Sequence, residues 1–216
     1  MHYVVVLFVL FILTGHVNVL DSAAPCLNEP GYPIDSTMVF KTADSYEQAL
    51  QMWKTPEDIN RWIAANFSYD MARALRLSET QRAKNERVSI YDPSKFFNTK
   101  TGMCVDLSRF GVEMLRRIDP GSDPKYLMIE FDPMQIRGNM LRLHWLVSFK
   151  RAGKTYFFAD SNRPEHIAGP YDDVRGFINE YAQYRGRKIV AFRELDSYQK
   201  QRRTPTLKRQ ALEKKP

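Results

Sequence analysis

Cys104, His144 and Asp160 are the residues of this chain whose types and order could carry out covalent chemistry. Residues 101–115 read TGMCVDLSRFGVEML, which sets Cys104 where an apolar helical pattern begins. A thiol there meets the positive end of the helix dipole and unpaired backbone N–H groups, and both favour the thiolate. An imidazole that takes and returns a proton, with a carboxylate to orient it, would complete a thiol nucleophile system. In that arrangement the backbone N–H of Cys104 is a natural oxyanion donor. Each residue also has a structural reading: Cys104 as a small buried side chain, His144 as a satisfied core histidine beside Trp145, Asp160 as a strand-end turn former. His166 is the rival base, but its surroundings, SNRPEHIAGP over 161–170, read as a surface loop. Asp106 falls in the first helical turn, where capping is expected of it rather than catalysis.

Whether His144 and Asp160 meet depends on a turn. Residues 142–149 and 155–160 read as two strands of a hairpin. A three-residue loop, Arg151-Ala152-Gly153 with Gly153 left-handed, sets Lys150 opposite Lys154 and therefore His144 opposite Asp160. Directly opposed side chains share a face with Cβ atoms about 5 Å apart. A two-residue loop instead sets His144 opposite Ser161 and turns Asp160 to the other face.

Other elements must hold these residues in place. Helical spacing runs over 44–53 and 55–67; the second segment has Thr55 as N-cap, Pro56 at the first helical position, and Glu57 and Asp58 in the first turn. Ile59, Trp62, Ile63 and Phe67 fall on its apolar stripe. Trp53, Trp62 and Tyr69 read as core, with one of them available to line a cleft. Residues 70–90 are polar with alternating charge and predict a solvated helix or long loop, and 91–104 a turn-rich approach to the cysteine. The helix from Cys104 buries Leu107, Gly111, Met114, Leu115 and Ile118 and stops at DPGSDP, residues 119–124. Strands are predicted at 125–131, 142–149, 155–160 and 188–192, and a last helix over 172–184 capped by Asp172 or Asp173. Helices precede a run of adjacent strands, so the fold class is α+β with an antiparallel sheet rather than alternating βαβ.

The motif blocks TGMCVDLSRFGVEML (101–115), HWLV (144–147) and FADSNRPEHIAGPY (158–171), in that order, resemble the transglutaminase-like cysteine hydrolase superfamily. Gly102, Cys104 and Asp106 match its Gly-x-Cys-x-Asp at the core helix, His144 its strand histidine, and Asp160 its strand-end aspartate. INRWIAANFSYD (59–70) resembles the family helix that ends in a Tyr-Asp pair. The resemblance covers roughly residues 45–185 and implies a papain-like core carrying the triad Cys104, His144 and Asp160. It further implies amide or peptide hydrolysis, or acyl transfer through a thioester. No acidic loop suggests the calcium requirement of some animal relatives.

The rest of the chain bounds the setting. With 216 residues, 44% hydrophobic and 12% aromatic, one well-filled core is expected, over residues 44–196. The net charge of +7 is concentrated in a basic tail, 197–216, where seven Lys or Arg stand against Glu213. That placement argues against a nucleic-acid partner and leaves a solvated terminus, or a tether to an anionic surface. Residues 1–24 read as a signal peptide or N-terminal anchor, from the apolar run YVVVLFVLFIL at 3–13 and the small residues Ser22, Ala23 and Ala24. Residues 25–43 read as an extended arm. The location expected is therefore extracytoplasmic, periplasmic or secreted, where a disulfide between Cys26 and Cys104 would exclude the nucleophile reading. Two cysteines and four histidines, two of them in the leader, provide no zinc-ligand spacing. The expected protein is an exported thiol hydrolase without metal or organic cofactor, acting on a protein, peptide or cell-wall peptide. An acyltransferase and a non-catalytic envelope binding module are the alternatives.

Overall fold

The computed structural model describes residues 31–33, 41–84 and 87–199, the first three by backbone only. The leader, Cys26 and the stretch 200–216 lie outside the described residues. Six strands form one sheet in the order β1-β7-β6-β5-β4-β8, with every neighbouring pair antiparallel. They are β1 (Gly31–Pro33), β4 (Lys125–Ile136), β5 (Asn139–Arg151), β6 (Lys154–Phe158), β7 (His166–Tyr171) and β8 (Ile189–Leu195). A short parallel pair, β2 (Ser68–Tyr69) and β3 (Thr101–Gly102), stands apart from it. The α+β class is as the sequence predicts.

Alternation along β5 divides the interior in two. Trp145, Val147 and Phe149 face the larger core, built with α1 (Tyr46–Met52), α2 (Pro56–Asn66), α5 (Pro93–Thr99) and α6 (Cys104–Ile118). Leu146 faces the smaller one with Leu127, Ile129 and Phe157, closed by Phe177, Ile178 and Tyr181 of α7 (Val174–Arg185). The larger core is aromatic, with the Trp62 ring stacked on Phe97 at 4.8 Å. α6 lies close to β5: Ser108 Oγ donates to the Leu146 carbonyl at 2.9 Å, and a Cβ on Gly111 would come within 2.8 Å of Val147.

The helix ends follow from their residues. Thr55 and Asp58 cap α2 reciprocally, with Pro56 at its start. Asp173 rather than Asp172 caps α7, accepting from the Gly176 N–H at 3.0 Å, and Gly186 closes that helix in the left-handed region at φ 56°. Arg151 clamps Glu57 with both terminal nitrogens, at 2.7 and 2.9 Å, tying the β5 end to α2.

Several sequence expectations need correction. The turn-rich approach at 91–104 contains α5, which has its own N-cap, Asp92, and Pro93 in its first turn; Phe96 and Phe97 are buried beneath it. The loop around His166 is strand β7, stabilised by pairing with β1 and β6. The helical part of the expectation for 70–90 holds as two short, partly exposed helices, α3 (Met71–Arg76) and α4 (Glu79–Ala83), but they are anchored rather than freely solvated, by buried Ala74 and by the buried α4 cap Ser78, whose Oγ donates to Asn139 at 3.1 Å. The β5–β6 loop has two residues, not three, because Ala152 (φ 50°) and Gly153 (φ 75°) are both left-handed and set Arg151 opposite Lys154.

Candidate active site

Cys104 is the first residue of α6, so its backbone N–H and those of Val105 and Asp106 have no partner within the helix. Asp106 organises this end. Its carboxylate is fully buried and accepts from the Met103 N–H at 2.8 Å, the Tyr91 N–H at 2.7 Å and Arg73 Nη1 at 2.7 Å. The capping expected of Asp106 is present, together with an ion pair to Arg73 on α3 that the sequence did not suggest. The Cys104 side chain is 8% exposed and carries a free thiol.

β5 delivers His144 and the end of β6 delivers Asp160, by a route different from the predicted one. The two-residue loop puts Val147 opposite Phe158, and continuing that register would turn Asp160 away from His144. Ala159 takes φ 59°, which breaks the alternation after Phe158, and Asp160 then enters a turn closed by the Arg163 N–H on its carbonyl at 3.1 Å. The carboxylate comes back to the imidazole, with His144 Nε2 3.1 Å from Asp160 Oδ1. His144 is 7% exposed and Asp160 3%.

Asp160 is held from all sides. Oδ1 also accepts from the Asn162 backbone at 3.0 Å and the Asn162 amide at 3.2 Å; Oδ2 accepts from the Tyr181 hydroxyl at 2.9 Å, with Arg163 Nε 3.5 Å away. Tyr181 lies nearly parallel to the His144 ring at 6.1 Å, and Arg185 Nη1 donates to its hydroxyl at 2.9 Å. Burial alone would raise the Asp160 pKa, but hydrogen bonding and attraction to His144, with the Asn162 N–H and Arg163, bring it far below the usual carboxylate range. Burial opposes the His144 imidazolium, and hydrogen bonds to Asp160 and Cys104 outweigh it, so its pKa is raised. With Nε2 on Asp160, Nδ1 is the ring nitrogen left for the thiol.

The structure thus brings Cys104, His144 and Asp160 together. It leaves His166 at the start of β7, two strands from β5 in the sheet. Of Trp53, Trp62 and Tyr69, it is Tyr69 that lines the cleft: it is 39% exposed, and its hydroxyl lies against Cys104. β2 places it there by pairing Tyr69 with Gly102, two residues before the cysteine. Although the residue is partly exposed, desolvation of its hydroxyl and then the neighbouring Cys104 raise the Tyr69 pKa, so the phenol stays protonated. The signal for Tyr69 was its place in the Tyr-Asp pair; Tyr181 and Arg185 had no signal beyond an amphipathic helix.

A cleft passes over this cluster in two lobes. One, about 320 Å³, contains Cys104 and is walled by Leu77, Ile90, Met103, Leu143 and Trp145. The other, about 350 Å³, contains His144 and is walled by Phe131, Met134, Arg185 and Arg187. Tyr69 borders both.

A family model described as transglutaminase-like domain matches residues 39–174, which include all three site residues. No curated protein matches the chain. With well over half of its length in that match, the chain belongs to the transglutaminase-like domain family.

Proposed function

We propose that this protein is a thiol hydrolase of amide bonds in which Cys104 is the nucleophile, His144 the general base and acid, and Asp160 the residue that orients His144. The observation that carries the reading is the meeting of a free thiol at the start of α6 with a buried imidazole whose far nitrogen is fixed on a carboxylate. His144 takes the Cys104 proton at Nδ1, and the sulfur attacks the carbonyl carbon. The oxygen gains the negative charge among the N–H groups of the first α6 turn, with the Tyr69 O–H beside the sulfur. As the carbon–nitrogen bond breaks, His144 gives its proton to the departing amine and an acyl thioester remains on Cys104. Water deprotonated by His144 then releases the acid and restores the thiol. We place this chemistry outside the cytoplasm, on peptide or protein amides, from the apolar N-terminal run.

The test is covalent. Incubation with a p-nitrophenyl ester is expected to leave an acyl group on Cys104, found by peptide mass spectrometry and lost in Cys104→Ala. His144→Ala is expected to slow iodoacetamide alkylation of Cys104 at pH 6 by about tenfold or more. An unacylated Cys104, or equal alkylation rates with and without His144, rules the reading out.

A further inference from the structure

The two lobes of the cleft differ in chemistry, and the mechanism says which part of a substrate each receives. The group that protonates the departing amine must lie beside it, so the leaving group occupies the His144 lobe and the acyl group the lobe that holds Cys104 without His144. The acyl lobe is walled mainly by apolar side chains, Leu77, Ile90, Met103, Leu143 and Trp145 among them. Its charged residues are paired: Arg142, which borders both lobes, pairs with Glu79 at 2.7 Å and with Glu130, outside the lining, at 3.1 Å, and Arg82 stands 3.9 Å from Glu79.

The leaving-group lobe is different. Arg185 and Arg187 line it, and no carboxylate among the described residues does. Both guanidinium groups are oriented by neutral acceptors: Arg185 by the Tyr181 hydroxyl at 2.9 Å, Arg187 by the Asp132 carbonyl at 2.6 Å. Both also stand over the Phe131 ring, at 5.2 and 4.6 Å from its centre. Neither forms an ion pair among the described residues. Burial and then the neighbouring Arg185 charge disfavour the charged form of Arg187, and Asp132 offsets them only in part, a remaining cost that a bound anion would relieve; Arg185, by contrast, is kept charged against its own burial by Tyr181 and the buried Asp160 beyond it. Two half-buried guanidinium groups held by neutral partners at the edge of a reacting centre are suited to a carboxylate, which they can grip with several N–H donors at once.

We infer that the substrate is an amide joining an apolar acyl group to an amine that carries a carboxylate, with the apolar group beside Leu77 and Trp145 and the carboxylate on Arg185 and Arg187. This rests on the thiol hydrolase reading above. In a peptide it corresponds to cleavage between an apolar residue and an acidic one.

Peptides alike except on the leaving-group side, with Leu as the acyl residue followed by Glu, Gln or Lys, test it by the rate at which the new amine appears. The expected order of kcat/KM is Glu, then Gln, then Lys, with Glu above Lys by about tenfold or more. Arg187→Glu is expected to invert the order, whereas Arg185 is left intact because it touches Tyr181, which holds Asp160. Exchanging the acyl-side Leu for Asp must slow cleavage. Turnover without preference for Glu, an order unchanged by Arg187→Glu, or faster cleavage after Asp overturns the inference while leaving the hydrolase reading in place. The inference also fails if the peptides stay intact while the p-nitrophenyl ester acylates Cys104. If that ester leaves Cys104 unmodified as well, the hydrolase reading falls and takes the inference with it.

Discussion

Tyr69 concentrates much of the site's chemistry in one hydroxyl. It lies against Cys104, and its raised pKa keeps the proton in place as a donor at neutral pH. In the proposed hydrolase, a carbonyl attacked by Cys104 would develop its negative charge next to that sulfur, beside this O–H and the first amides of α6. Removing one such donor typically costs 10² to 10³ in kcat. Tyr69→Phe is therefore expected to lower kcat by about that factor with little change in KM, while the iodoacetamide rate stays within a few-fold. A variant that keeps its kcat would show that the hydroxyl serves the resting thiol alone. Residues of this kind were unevenly legible. Cys104, His144 and Asp160 could be named because their types are chemically committed and their order matches a family. Tyr181 and Arg185 could not, because an aromatic and an arginine on a helix carry the same pattern whether they face solvent or buttress a buried carboxylate. Tyr69 was visible as part of a motif, but its exposure follows from β2–β3 pairing that two-residue strands do not announce.

At the scale of elements, the position of Cys104 depends on how closely α6 lies on β5. A Cβ built on Gly111 would meet Val147 Cγ2 at 2.8 Å and Phe158 Cζ at 3.3 Å, closer than a methyl group fits without movement. Alanine gains up to about 1 kcal/mol of helix propensity over glycine, and overpacking a core costs about 1–3 kcal/mol. Gly111→Ala is expected to destabilise by about 1–2 kcal/mol, measured by urea unfolding. Val147→Ala should relieve part of that cost, so the double variant is less destabilised than the two single losses added together. Strict additivity would mean that helix and strand do not press on each other there. The same residue shows the limits of pattern reading: the periodicity that placed Gly111 on the buried stripe of α6 cannot show what lies across from it. Elements were missed where a few residues override a general impression. The Asp92-Pro93 start makes a helix of a stretch rich in turn formers, and the partners of β7 make a strand of a segment that looks like a loop. Ala159 is the sharpest case. The hairpin register separates His144 from Asp160, and one left-handed alanine, a residue with no particular preference for that region, reunites them.

Across the whole molecule, the buried pair couples the site to folding. The Asp160 pKa is lowered in the folded state, so its contribution to stability is present above its unfolded value of about 3.9 and is lost as pH falls through the lower folded value. The His144 pKa is raised, so its contribution is complete below about 6.5 and is lost as pH rises through the higher folded value. Together they stabilise the fold most between about pH 4 and 6.5. Asn at 160 removes the first term and reverses the second, because burial without the carboxylate lowers the imidazole pKa and penalises the imidazolium. In a Cys104→Ala background, which takes the thiol out of the titration, the stability lost through Asp160→Asn should thus be larger at pH 5.5 than at pH 8.5. One unit of difference between folded and unfolded pKa corresponds to about 1.4 kcal/mol, which sets the scale of that change. Urea unfolding at the two pH values measures it, and equal losses at both would mean that His144 is uncharged throughout. An imidazolium that the fold stabilises is also the partner a thiolate at Cys104 would require in the proposed hydrolase, and because Cys104 itself helps to raise the His144 pKa, the same stability should persist to higher pH when the cysteine is restored.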